Sequence, residues 1–306
     1  MAVVSDIYIA KREDLSNLTK IINDKYEAAE MANNSLLNLV SNREGITSIY
    51  LDPSLTGIDN NIFKYCSNLA LTELPDNIRH IGDNAFYSCS KLALTKLPDA
   101  LTHIGRYAFY SCSNLKLTEL PDGVTEIDEY TFSNCSNLAL NKLPSGLTSI
   151  GAYAFYNCNN VRLSALPNGI TEIADDAFYG CHGIYLSELP DGVTSIGDSA
   201  FRNCSNLALT KLPNSLTRIA RYAFYSCSKL AITEIPASVT TIESMAFRSC
   251  TGLTSITFKG KPTSINTLAF NSCSKLKTIN VPWASGEVAG APWGATSATV
   301  NYNYTG

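Results

Sequence analysis

Cysteine is the residue whose type and spacing most directly suggest chemistry in this chain. There are ten, Cys66, Cys89, Cys112, Cys135, Cys158, Cys181, Cys204, Cys227, Cys250 and Cys273, and every interval is 23 residues. Thiols in such number admit a disulfide framework, a thiolate metal site or a nucleophile. A metal site needs clustered Cys or His ligands, and among three histidines only His182 adjoins a cysteine, Cys181. A disulfide needs two Cβ atoms turned towards each other at ~3.8 Å, whereas equivalent positions of a periodic chain present parallel side chains. The spacing therefore predicts free, buried thiols that serve as small apolar fillers.

Little else in the chain resembles catalytic equipment. Asp175-Asp176 are adjacent carboxylates that suit a cation or, at the start of a helical turn, a cap. Together with His182 they are the only residues to which an enzymatic role could be assigned. There is no G-x-S-x-G, no phosphate loop and no H-E-x-x-H, the motifs that would announce a nucleophile, a nucleotide or zinc. The chain thus reads as a non-enzyme without cofactor or metal. A net charge of −4 gives no reason to expect nucleic acid. No apolar run approaches the ~18 residues of a membrane span, so no membrane insertion is expected.

The elements that carry the cysteines follow from the period. A phenylalanine stands three residues before each cysteine, from Phe63 to Phe270, and periods of about 20 to 50 residues mark solenoids. In the unit "CSKLALTKLPDALTHIGRYAFYS" (89–111), Leu92, Leu94 and Leu97 predict a strand ending at the turn Pro98-Asp99. Leu101 and Ile104 predict a second short extended piece, with Thr102 and His103 facing water. Ala108, Phe109 and Cys112 predict one helical turn with a common apolar side. No unit can bury these side chains alone, so coils must stack in register, Phe on Phe and Cys on Cys, with parallel strands ~4.8 Å apart.

The pattern I-G-x-x-A-F-x-x-C-x-x-L, as in Ile81-Gly82 through Phe86, Cys89 and Leu92, resembles the BspA-type leucine-rich repeat of bacterial surface proteins over roughly residues 43–282. The resemblance implies a leucine-rich-repeat solenoid, a right-handed α/β superhelix in which each 23-residue repeat holds a parallel β-strand, a short extended segment and one helical turn. It also implies adhesion to host proteins or other cells and no catalytic residues. Eight units depart from the family's L-T-S-I-T-I-P strand, reading L-A-L-T-E-L-P or close variants instead. Moving an apolar residue one place earlier requires a bulge or a local twist. The same phrase also resembles the L-P-x-x-L repeats of secreted bacterial effectors, which lack the Phe and Cys positions.

Three segments are expected. Residues 1–42 form an N-terminal helical cap, with a helix over 12–40 that offers a minor route to oligomers of an otherwise monomeric chain. Residues 43–280 form the array of ten 23-residue repeats plus a partial strand. Residues 281–306 form a C-terminal cap around Trp283 and Trp293, with a last strand from Ala298 to Tyr304. "MAVVSDIYIAK" carries Asp6 and no long apolar segment, so it is not read as a secretory signal.

Candidate binding residues are those the stack leaves free. Arg162 and Tyr185 fall on neighbouring strands of a mid-array irregularity that also holds His182, with Lys116 two strands from Arg162. Tyr107, Tyr110, Tyr153 and Tyr156 flank the phenylalanines as a tyrosine ridge, suited to edge packing or to recognition. A third free column alternates charge through Glu73, Lys96, Glu119, Lys142, Ala165, Glu188, Lys211 and Glu234, as a solvated ladder would. The chain is read as a surface adhesin, at the cell surface or secreted, whose ligand is an unknown protein or glycan. The alternative is a tail-associated structural or receptor-binding protein of a phage particle, with an enzyme or secreted effector more distant.

Overall fold

Two-residue strands repeat once per coil in a computed structural model that describes residues 6–9 and 43–306. They run Gly57–Ile58, His80–Ile81, His103–Ile104, Glu126–Ile127, Ser149–Ile150, Glu172–Ile173, Ser195–Ile196, Arg218–Ile219, Thr241–Ile242 and Ser264–Ile265. Those that pair do so in parallel with like positions opposed, Ile58 beside Ile81 and Ile81 beside Ile104. Each coil therefore lies in register on the last. The isoleucine points inward and its neighbour outward; His103 is exposed while Ile104 is buried. The residue before each pair reinforces this wall. Thr148, Thr194, Thr217 and Thr240 each donate Oγ1 to the carbonyl of the threonine one coil back at 3.0–3.2 Å.

The leucine phrase builds a second wall, but in the middle units it is not the strand expected. Between buried Leu94 and Leu97 two consecutive residues, Thr95 and Lys96, face outward, so the alternation of two that a strand requires is broken. Bonds still cross this wall at the position before the second leucine, as in Ala93 N–H to Leu71 O (2.9 Å) and Lys116 N–H to Leu94 O (3.0 Å), with a second bond in some coils, as in Asn141 N–H to Thr118 O (3.2 Å). Where the family's phrase returns, longer strands form. Ser255–Phe258 and Thr278–Asn280 pair with each other, flanked by Glu234–Ile235 and Thr299–Asn301.

The third wall differs from the expected helical turn. Alternate N–H groups bond within the coil to the third residue back: Ala85 to Gly82, Tyr87 to Asn84 and Cys89 to Phe86, at 3.1–3.2 Å. The N–H groups between them bond along the stack instead: Asn84 to Arg106 O, Phe86 to Ala108 O and Ser88 to Tyr110 O, at 2.7–2.9 Å. An α-helix would keep all these donors within one segment. Here left-handed residues four apart, such as Asn84 (φ 54°) and Ser88 (φ 59°), alternate the peptide directions. Asn, Ser, Asp and Gly at these positions suit that backbone. Gly105 serves the same wall by leaving space, since a Cβ there would stand 2.5 Å from Asp83 Oδ1 and 2.7 Å from its backbone N.

The core is one column in which ten phenylalanines, Phe63 to Phe270, lie stacked with centroids 5.0–5.7 Å apart. The ten cysteines beside them are free and buried. At the C-terminal end Trp293 (0% exposed) and Trp283 (4%) close over Phe258, whose ring meets Trp283 edge-on at 5.4 Å. The helix expected over 12–40 lies outside the described residues. Near the N-terminus, Asp6–Ile9 pairs in parallel with Ser48–Leu51.

Candidate functional site

The cysteines do more than fill space. Each thiol from Cys89 to Cys273 donates to the carbonyl of the phenylalanine one coil back, as in Cys89 Sγ to Phe63 O at 3.0 Å and Cys158 Sγ to Phe132 O at 2.9 Å. That carbonyl already accepts the cysteine N–H of its own coil, so the thiol occupies its second lone pair. Burial pushes Cys66 up to about 11 and Cys273 up to about 12, and raises the interior thiols further. Protonated and walled in, these sulfurs are poor nucleophiles. Among the described residues no cluster of three His, Cys, Asp or Glu could hold a metal.

The two aspartates have partners within the stack. Asp175 Oδ1 accepts the Asp198 N–H at 2.7 Å, capping the next coil. Asp176 is a left-handed residue (φ 53°) whose carboxylate accepts a hydrogen bond from Tyr153. That bond, with burial and the nearby carboxylate, holds the Tyr153 hydroxyl well above its ordinary value. Burial likewise raises the Asp176 carboxyl. His182 is exposed at the corner after Cys181 and is held by its backbone, its N–H donating to Gly180 O at 2.8 Å and its O accepting from Asn206 Nδ2 at 2.7 Å.

The proposed binding residues divide between two walls. Lys116, Arg162 and Tyr185 share the outward column before the second leucine of each unit, where other units carry Ala93, Ala139, Ala208 and Ala231. Arg162 and Tyr185 occupy adjacent coils, anchored by Arg162 N–H to Leu140 O (2.8 Å) and Tyr185 N–H to Leu163 O (3.1 Å). Both side chains are exposed, Tyr185 by 50%. Neither makes a hydrogen bond, ion pair or ring contact among the described residues.

The tyrosines lie on the turn wall as two face-to-face files. Tyr107, Tyr130 and Tyr153 stack at 4.6 and 4.4 Å, while Tyr87 stacks on Tyr110 and Tyr156 on Tyr179, each at 4.6 Å. The files meet where Tyr107 approaches Tyr110 (5.9 Å) and Tyr153 approaches Tyr156 (5.7 Å). Tyr107, Tyr130 and Tyr153 have φ of 56–57°, uncommon for a bulky residue, and the residues at the same position in other coils, Asn84, Asp176, Ser199 and Met245, are left-handed as well. Because the faces cover one another, the ridge presents hydroxyl edges. The charge ladder pairs in part: Lys142 reaches Glu119 and Lys211 reaches Glu188, both at 2.9 Å, and Lys259 reaches Glu234 at 3.0 Å. Lys96 turns to Asp99 at 3.0 Å.

A profile of the BspA type leucine-rich repeat region matches in six copies over residues 56–185 and 171–288. The chain belongs to the BspA type leucine-rich repeat family. The solenoid, the period and the Phe and Cys columns are those of such a repeat, and this BspA type chain has the architecture of repeat-based protein binding. Among solved structures it is similar to a leucine-rich cell surface protein from Faecalibacterium prausnitzii, at 26% identity and a TM-score of 0.52, covering 82% of this chain and 84% of that one. A leucine-rich repeat protein from Bacteroides ovatus shares the fold at 22% identity and a TM-score of 0.50, covering 85% and 84%. A search of curated proteins gave no match. Nothing in the family or in the geometry of the described residues points to a catalytic centre, and no helix among them is long and apolar enough to cross a membrane.

Proposed function

We propose that this BspA type chain is a non-enzymatic adhesion module at a cell surface, which recognises a protein or glycan of an opposing surface through its leucine wall. The observation that carries this reading is the pair Arg162 and Tyr185. They rise side by side, unpartnered, from a column otherwise made mostly of alanine. Tyrosine and arginine are among the side chains enriched as interface anchors, and the stacked coils beneath hold both on rigid backbone. Lys116 extends the patch towards the N-terminus and His182 borders it at the corner. The likeness to a leucine-rich cell surface protein supports the location.

Screening the purified chain against glycan and protein arrays identifies the ligand, after which Arg162→Ala combined with Tyr185→Ala is compared with the parent. The double variant should lose about 2 kcal/mol or more of binding, the range of interface anchors, with its unfolding midpoint unchanged. Undiminished affinity would show that the leucine wall is not the contact surface.

A further inference from the structure

One file on the turn wall changes character along the array. From Phe155 to Phe247 the residue following the spine phenylalanine is Tyr156, then Tyr179, Arg202, Tyr225 and Arg248. The Arg202 guanidinium lies 5.4 Å from the Tyr179 ring centre, 5.2 Å from that of Tyr222 and 4.8 Å from that of Tyr225. Arg248 lies 5.6 Å from Tyr225 on its other side, and its Nη1 reaches only the Met245 sulfur at 3.4 Å. Neither guanidinium forms an ion pair among the described residues, and the Nε of each is buried without a partner.

The carboxylates of the neighbouring turns are already engaged. Asp198 faces Arg221 at 3.6 Å and Arg218 at 3.8 Å, Glu243 accepts from Arg218 at 2.8 Å, Asp175 caps a backbone N–H and Asp176 accepts from Tyr153. Neither arginine is therefore ion-paired among the described residues: Arg202 feels only the Asp176 carboxylate, already bonded to Tyr153, on a chain whose net charge is −4. A guanidinium held by its faces between rings keeps its in-plane donors free for a planar or tetrahedral anion.

We infer that Arg202 and Arg248 form an anion-recognition site on the turn wall, separate from the leucine-wall patch, whose ligand is an acidic polysaccharide bearing sulfate or carboxylate groups. Two coils separate the arginines, on the order of 10 Å at one strand spacing per coil. That is near the advance of one disaccharide, so a glycan charged on alternate sugars presents its anions in step with them. An acidic peptide would gain affinity by burying apolar anchors in pockets, and here the ring faces are taken up by one another and by the guanidiniums. Hydroxyl and amide residues adjoin these groups in the chain, Asn203 after Arg202 and Ser226 after Tyr225, with N–H bonds to Tyr225 O and Arg248 O, and such groups suit sugar hydroxyls.

The test titrates the full chain with fluorescent dextran sulfate, neutral dextran and polyglutamate of similar length. Dextran sulfate should bind with an affinity that falls as salt screens the charges, and neutral dextran should not bind. Arg202→Gln with Arg248→Gln should weaken binding at least tenfold, whereas Arg162→Ala with Tyr185→Ala should leave it unchanged, separating this site from the leucine wall. If the double variant melts early, Arg248→Gln alone should still weaken binding about threefold. Failure of the parent to bind dextran sulfate at physiological salt, full affinity in the glutamine variants, or equal binding of polyglutamate would each overturn the assignment.

Discussion

Replacing Phe178 with alanine probes the stack at its centre. The ring is fully buried and lies between Phe155 at 5.5 Å and Phe201 at 5.4 Å, stacked on both faces. The backbone around it is fixed by bonds along the stack: Phe155 N–H to Ala177 O, Phe178 N–H to Ala200 O and the Cys204 thiol to Phe178 O, at 2.9–3.0 Å. The coils therefore cannot close the gap, and the loss should fall in the range for a buried ring that leaves a cavity, about 3–5 kcal/mol. Since each coil touches only its neighbours, the damage should also uncouple the two halves and broaden the transition. Urea unfolding followed by far-ultraviolet circular dichroism measures both effects. Phe63→Ala is the internal comparison, because Phe63 stacks on Phe86 alone among the described residues and should cost less. A loss below about 1 kcal/mol at Phe178, far under the cavity range, or a larger loss at Phe63, would refute the reasoning.

Two further predictions concern the thiols. Cys158→Ser should keep the bond to Phe132 O, whereas Cys158→Ala should cost about 1–3 kcal/mol more by leaving that buried carbonyl one partner short; equal urea midpoints would show that the thiol only fills space. Burial raises Cys66 from 9.0 to about 11 and Cys273 to about 12, so the folded state holds these protons more tightly than the unfolded chain. That contribution is intact below about pH 9 and is lost as pH rises through the folded values. The urea midpoint should hold from neutrality to about pH 9 and then decline, and a flat midpoint to about pH 11 would contradict burial of the column.

The period, the register and the Phe and Cys columns were legible because each is a repeated letter at a fixed interval. The identity of the ladder was not. Leu92, Leu94 and Leu97 look more strand-like than Thr102-His103-Ile104, yet two consecutive outward residues at 95–96 interrupt the ladder, while the short Thr-x-Ile pieces keep it. The turn wall carries a sequence signal of its own: from Ser88 to Ser272, the residue before each cysteine is Ser, Asn or Gly, and all are left-handed. Ala-Phe-x-x-Cys spacing alone cannot tell such a turn from a helical one. The thiol's role as a donor depends on a carbonyl 26 residues back, a relation that appears only once the coils are stacked. Arg202 and Arg248 look like ordinary surface charges until their place among the rings is seen, whereas Arg162 and Tyr185 stood out as departures from alanine.

Sulfur anomalous diffraction from a crystal of the chain tests the stacked register most directly. The account predicts ten cysteine sulfurs in single file, each about one coil, ~5 Å, from the next. Sulfurs joined in pairs at ~2.05 Å, or scattered off a common line, would contradict it.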